Sequence, residues 1–301
     1  MKKKWVFGLT LVSVLAIFTA NAYPWGAAVH VYVASMIKPP NPNIWYGAMA
    51  PDCFNYYFGD PTIKYPLLAQ FHDNPIALWN NAGDDPIKKA LAFGFFCHGQ
   101  TGGADTTAHL HGIQFGKKEG YVILKAKVLD NILTKFPKYR KLKAKYPDYS
   151  MEVAHNLLEN GLDVLLKRID PGIGEKIFGA ALNRANFATF FPDWLASVYA
   201  PSLAGLIGAV EDYFCGLMTN YGLMFAFMSE PEIVYMLSQQ MATYAPAFLP
   251  NDPDVQMTFE EAFAIAKYGT EKAMEICADT FPKELAVTVT FVGANMASFI
   301  F

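Results

Sequence analysis

The chain has 301 residues, 53% of them hydrophobic and 17% charged, with a formal net charge of −3. That balance excludes nucleic-acid binding driven by bulk positive charge, though not a site where metal ions hold a phosphate. The length past the leader described next, about 280 residues, is enough for one large core.

Met1-Lys2-Lys3-Lys4 is basic, residues 5–18 form an apolar run too short for a membrane span, and Ala20-Asn21-Ala22 is a small-x-small cleavage site. Residues 1–22 therefore predict a signal peptide, with an uncleaved N-terminal anchor as the competing reading. Residues 23–301 predict a single domain exported to the periplasm or the extracellular space.

Helical periodicity dominates the rest. Residues 27–38 carry apolar positions at helical spacing around His30 and stop at Pro39-Pro40. Residues 41–66, rich in Pro, Gly and aromatics, read as a long structured loop holding Asp52. Residues 86–97 read as a helix with Pro in its first turn. Gly99, Gly102 and Gly103 break the pattern, and 105–111 is a candidate restart. Residues 120–136 and 150–168 are amphipathic, and the basic stretch 135–145 reads as solvated surface. Further helices are expected at 173–183, 203–228, 230–242, 258–277 and 284–298, with 287–292 as the one strand candidate. The run 203–227 comes nearest to a membrane span, but Glu211 and Asp212 interrupt it. The fold class expected is all-α, one multi-helix domain. Cys53, Cys97, Cys215 and Cys277 show no CxxC spacing; three disulfide pairings and free thiols remain open.

The chemistry-bearing residues centre on six histidines: His30, His72, His98, His109, His111 and His155. His155 and Glu159 stand four apart on a predicted helix, so one cation can take both, although such a pair alone is most often surface or core. Asp105 and His111 flank five residues. One carboxylate can bridge two metals, and two metals sharing it can hold a hydroxide and stabilise phosphoryl charge during in-line attack. Gly99-Gln100-Thr101-Gly102-Gly103 could fold His98 back to Asp105; the competing readings are a flexible turn or a small phosphate-cradling loop. Trp25, His30, Asp52 and His72 supply the remaining ligand types, though Trp25 also suits a core anchor, Asp52 a turn and His72 a hydrogen-bonded loop.

The order Trp25-Gly26-x3-His30, Pro51-Asp52, His72, His98, Asp105-x5-His111, His155-x3-Glu159 resembles the zinc-dependent phospholipase C family, whose wider relatives are the S1/P1-type nucleases. Gly47-Ala48-Met49-Ala50-Pro51-Asp52 is similar to that family's glycine-to-Pro-Asp segment. The motifs run from Trp25 to Glu159, and residues beyond Pro171 carry no such match. The resemblance implies a helical fold with two or three zinc ions in a cleft. One zinc would take Asp52, His72, His98 and Asp105. A second would take His111, His155 and Glu159. A third would take Trp25 through its backbone, His30 and Asp105. It also implies a phosphodiester substrate attacked by a metal-bridging hydroxide, with Asp105 as the bridge and Asp52 orienting the nucleophile or accepting its proton.

Three features depart from the family pattern. His98-x6-Asp105 is three residues longer than usual. Cleavage after Ala22 leaves Tyr23-Pro24 ahead of Trp25 and so removes its free amine. His109 competes with His111, and His111 keeps the family spacing, which leaves His109 a supporting or structural role.

The function expected is an exported zinc-dependent phospholipase C-like hydrolase, touching the membrane surface peripherally and forming no stable nucleic-acid complex. Tyr56, Tyr57 and Phe58 could line its cleft and seat a choline headgroup, against a core-packing reading for at least two of them. The alternatives are a single-strand nuclease, stacking a base on Trp45 or on residues 56–58, and a catalytically inactive zinc-binding surface protein.

Overall fold

A computed structural model describes residues 26–57 and 59–299. The expected signal peptide, Trp25 and Phe58 lie outside the described residues.

Proline opens most of the helices. Pro42, Pro61, Pro75, Pro86, Pro137 and Pro147 each occupy a first helical turn, where the missing N–H has no intrahelical partner to lose. Asn41, Asp60 and Asp85 accept first-turn amides just ahead of three of them. The stretch expected to be a loop, 41–66, is therefore largely helical: Pro42, Pro51 and Pro61 start helical segments instead of marking turns, and Pro66 lies inside a helix.

In chain order the elements are α1 (Ala27–Ile37), α2 (Pro42–Met49), a 3-10 segment (Ala50–Tyr56), α3 (Pro61–Asp73), α4 (Pro75–Asn81), α5 (Pro86–His98), a π-helical turn (Thr106–Leu110), α6 (Tyr121–Leu133), α7 (Pro137–Lys145), α8 (Pro147–Ile169), α9 (Ile173–Phe187), α10 (Phe191–Tyr199), a short 3-10 turn (Pro201–Leu203), α11 (Ala204–Phe227), α12 (Glu230–Phe248), α13 (Phe259–Cys277) and α14 (Phe281–Met296). No strand occurs among the described residues. Residues 287–292, the strand candidate, lie inside α14. Its buried positions Phe281, Glu284, Leu285, Thr288, Val292 and Met296 repeat at helical spacing, which overrides the short β-branched run. The basic stretch folds as α7 and buries Tyr139 and Leu142.

One main apolar core runs from Ala27 to Met296, so the described residues form a single multi-helix domain. Helix α2 packs on α5, α9 on α11, and α8 lies between α6 and α13. The α2–α5 contact depends on two glycines. A Cβ on Gly47 would lie 2.1 Å from the Leu91 carbonyl oxygen, and one on Gly94 would lie 2.3 Å from that of Ile44. Helix α11 carries its acids because Glu211, fully buried, receives the Arg184 guanidinium and the Tyr46 hydroxyl. No helix among the described residues is long and apolar enough to cross a membrane. All four cysteines are buried free thiols.

Candidate metal centre

Six elements deliver the side chains. α1 carries His30, the first 3-10 segment Asp52, α3 His72, and α5 ends on His98. Asp105 precedes the π-helical turn that holds His109, and α8 carries His155 and Glu159.

Close packing at Gly47 and Gly94 brings the Ala48 carbonyl to 2.8 Å from His98 Nδ1. His72 Nδ1 likewise meets the Leu68 carbonyl at 2.7 Å. A ring whose Nδ1–H is taken by a carbonyl presents its Nε2 lone pair, the form that ligates metals. Asn55 donates to Asp52 Oδ1 at 2.9 Å and fixes that carboxylate.

The glycine-rich loop absorbs the longer His98–Asp105 spacing. Gly102 takes φ of 83°, in the left-handed region, and its amide donates to Thr106 Oγ1 at 2.9 Å. Thr106 Oγ1 donates in turn to the Gln100 carbonyl at 2.8 Å. The Gln100 amide donates to the His72 carbonyl at 3.1 Å, which ties the loop to α3. The chain thus doubles back, and Asp105 Oδ2 arrives 3.3 Å from His98 Nε2.

Around Asp105 the imidazoles converge. His30 Nε2 is 3.4 Å from Oδ1, and His72 Nε2 is 3.7 Å from Oδ2. His72 Nε2 also lies 3.3 Å from Asp52 Oδ1, and the His30 and His98 rings stack at 3.7 Å. Donor atoms of His30, Asp52 and His98 lie within 4.8 Å of one another, as do those of His72, His98 and Asp105. A further group at the same spacing joins His109, His155 and Glu159.

His109 stands where His111 was expected, and His111 is exposed. The π-helical turn closes through the His111 amide on the Thr106 carbonyl at 3.0 Å, and the chain then leaves in extended backbone. A residue four positions past Asp105 returns to the same side of a helical turn, whereas one six positions past does not. The signal was present in the sequence: Asp105-x3-His109 has the same spacing as His155-x3-Glu159. Tyr56 packs against Phe214, and Tyr57 meets Phe54 edge-on, so both contribute to core packing.

The decisive observation concerns partners. Asp52 Oδ2, His98 Nε2, both Asp105 oxygens, His109 Nε2, His155 Nε2 and both Glu159 oxygens are buried with no hydrogen-bond partner. Leaving a buried polar atom unsatisfied costs about 1–3 kcal/mol, so native chains rarely collect several in one place. His155 Nε2 and Glu159 Oε1 approach to 2.8 Å without hydrogen-bond geometry, as two ligands of one ion do. No protein-family model, curated protein or solved structure matches this chain. The reading of the centre therefore rests on its own geometry.

Its electrostatics agree. Burial opposes charge on Asp105, yet His98 and His30 hold its carboxyl well below the usual carboxylate range. Burial likewise opposes charge on His72, but Asp52 and Asp105 outweigh it and raise the imidazole to about 9. Burial and the neighbouring His109 push His155 down to about 3, leaving it neutral. Burial and the charges of Asp52, Asp105 and Asp163 push Glu159 well up. Carboxylates this close need positive charge beside them, and a divalent cation supplies more of it than a proton. The donors are imidazole nitrogens and carboxylate oxygens, a set that could hold a divalent transition-metal ion.

Proposed function

We propose that this chain is an exported zinc-dependent phosphodiester hydrolase of the phospholipase C type, with the fold of that family and of the P1-type nucleases. The observation that carries the reading is the convergence of unpartnered buried donors on Asp105 and on Glu159. The order in which the chain supplies the residues gathered there, His30, Asp52, His72, His98, Asp105, His155 and Glu159, is the motif order of the family it resembles. The basic, apolar and small-residue succession of the first 22 residues supports export.

His30, Asp52, His72, His98 and Asp105 would hold one or two zinc ions, and His109, His155 and Glu159 another. Zinc bound there would polarise a phosphoryl oxygen and lower the pKa of a water. The chain's own groups do the rest. Asp105 offers one oxygen towards His30 and the other towards His72 and His98, the arrangement of a bridging ligand. Asp52, held through Oδ1 by Asn55, keeps Oδ2 unpartnered to take the proton of the attacking water. That water forms a new P–O bond as the bond to the glycerol oxygen breaks, and the departing oxygen takes a proton from solvent to leave as the diacylglycerol hydroxyl. The choice of a phospholipid over a nucleic acid follows the family resemblance; Leu110 beside His109 and Tyr65 two turns before His72 on α3 are single exposed side chains.

The test is hydrolysis of phosphatidylcholine vesicles and of single-stranded DNA, each with and without chelator. Chelator-sensitive release of phosphocholine with intact DNA supports the reading. DNA cleavage without lipid hydrolysis would reassign the protein as a nuclease. Zinc binding with neither activity would make it a binding protein.

A further inference from the structure

Asp163 takes no part in the hydrolysis proposed above, yet it is 1% exposed and follows Glu159 by one helical turn. His155, Glu159 and Asp163 recur at i, i+4 and i+8 along α8, so all three lie on one helix face. Three donors meet the Asp163 carboxylate. The Ala28 amide donates to Oδ2 and the Val29 amide to Oδ1, each at 3.2 Å. The Tyr221 hydroxyl, from α11, donates to Oδ2 at 2.6 Å.

The two amides belong to the first turn of α1. A helix start leaves its first N–H groups without intrahelical partners and carries partial positive charge. The residue ahead of α1 is Gly26, which has no side chain to cap them. Asp163 therefore caps α1 from a separate helix, 135 positions away from Ala28. Gly26 makes room for it: a Cβ there would lie 2.1 Å from Asp163 Oδ2. The residue after Val29 is His30, whose Nε2 faces Asp105 at 3.4 Å.

We infer that Asp163 is a positioning residue that sets His30 against Asp105. It pins the first turn of α1 to the face of α8 that bears His155 and Glu159, and so fixes the separation of the two donor groups. Oδ2 accepts from the Ala28 amide and the Tyr221 hydroxyl, while Oδ1 shares the Val29 amide with the Gly26 carbonyl, 2.9 Å away. The inference rests on the reading of His30 as a metal ligand.

The experiment is a zinc titration against a competing chelator on the full folded chain, repeated with cobalt, whose visible absorption reports each site. His30→Ala and His155→Ala assign the affinity steps to their donor groups. Asp163→Asn keeps the shape but turns one acceptor oxygen into a donor. It should weaken the step that His30→Ala removes by about 10–100-fold, the range for groups that orient a metal ligand. The step that His155→Ala removes should stay within about twofold, a selectivity that a general loss of stability does not produce. Tyr221→Phe removes one hydroxyl without touching α1 and should shift the same step in the same direction by a smaller factor. It also serves if Asp163→Asn does not fold. Equal weakening of both steps, or of neither, overturns the inference. Absence of zinc from the unsubstituted chain would instead overturn the reading of the centre itself.

Discussion

His98 Nε2 lies 3.3 Å from Asp105 Oδ2 although six loop residues separate them, because Gly102 and Thr106 fold that loop back on itself. The relationship makes Asp105 the hinge of the centre, facing His30 through one oxygen and His72 and His98 through the other. Asp105→Asn keeps the size but replaces one of the two oxygens with an amide nitrogen that does not ligate. Turnover should fall by at least about 100-fold, a loss of about 2.7 kcal/mol of transition-state stabilisation. Steady-state kinetics on phosphatidylcholine with excess zinc checks this; unchanged kcat would remove Asp105 from the bridging role.

His109 and His111 make opposite predictions. His109 shares a donor group with His155 and Glu159, while His111 is exposed. His109→Ala should remove about one equivalent of bound metal and His111→Ala none. Elemental analysis after gel filtration reads both, and a loss confined to the His111 variant would restore the spacing expected from the sequence.

That pair shows what the sequence made legible. Helices α5, α8 and α13 follow from apolar periodicity, and α5 and α13 also from caps only two or three residues away, such as Asp85 on Ile87 and Lys88 and Thr258 on Glu261. Residues 41–66 misled because Pro42 and Pro61 open helices there, and proline is ambiguous between a turn and a first helical position. Family spacing favoured His111, whereas the geometry of a helical turn favours His109. The roles of Ala48, Leu68 and Asp163 were invisible, since a carbonyl or a cap supplied from a distant helix leaves no local pattern.

The Gly94 contact links packing to the centre. Gly94→Ala places a methyl 2.3 Å from the Ile44 carbonyl and must push α2 from α5. The cost should be about 1–3 kcal/mol in metal-free stability. Because the same displacement moves Ala48 from His98 Nδ1, zinc affinity should fall as well. Denaturant titration and chelator competition on one preparation measure both; a loss of stability with full zinc affinity would break the link.

The metal-free chain should carry a pH signature from Asp163. Burial raises its carboxyl to about 6, even though Tyr221 and the amides of Ala28 and Val29 favour the charged form. The folded state therefore binds this proton more tightly than the unfolded state. That contribution is complete below the unfolded value near 3.8 and is lost as pH rises through about 6. Relative to Asp163→Asn, the unsubstituted chain should lose on the order of 2–3 kcal/mol between pH 4 and 7. Denaturation of the chelated proteins at both values checks the sign; a difference that is flat or reversed would contradict it.

The central claim is that the unpartnered donors around Asp105 and Glu159 are ligands of zinc. Elemental analysis of the folded, purified chain, equilibrated with zinc and freed of excess, tests it most directly. Two or three zinc ions per chain are expected, all removed by chelator. A folded chain that retains no zinc would contradict it.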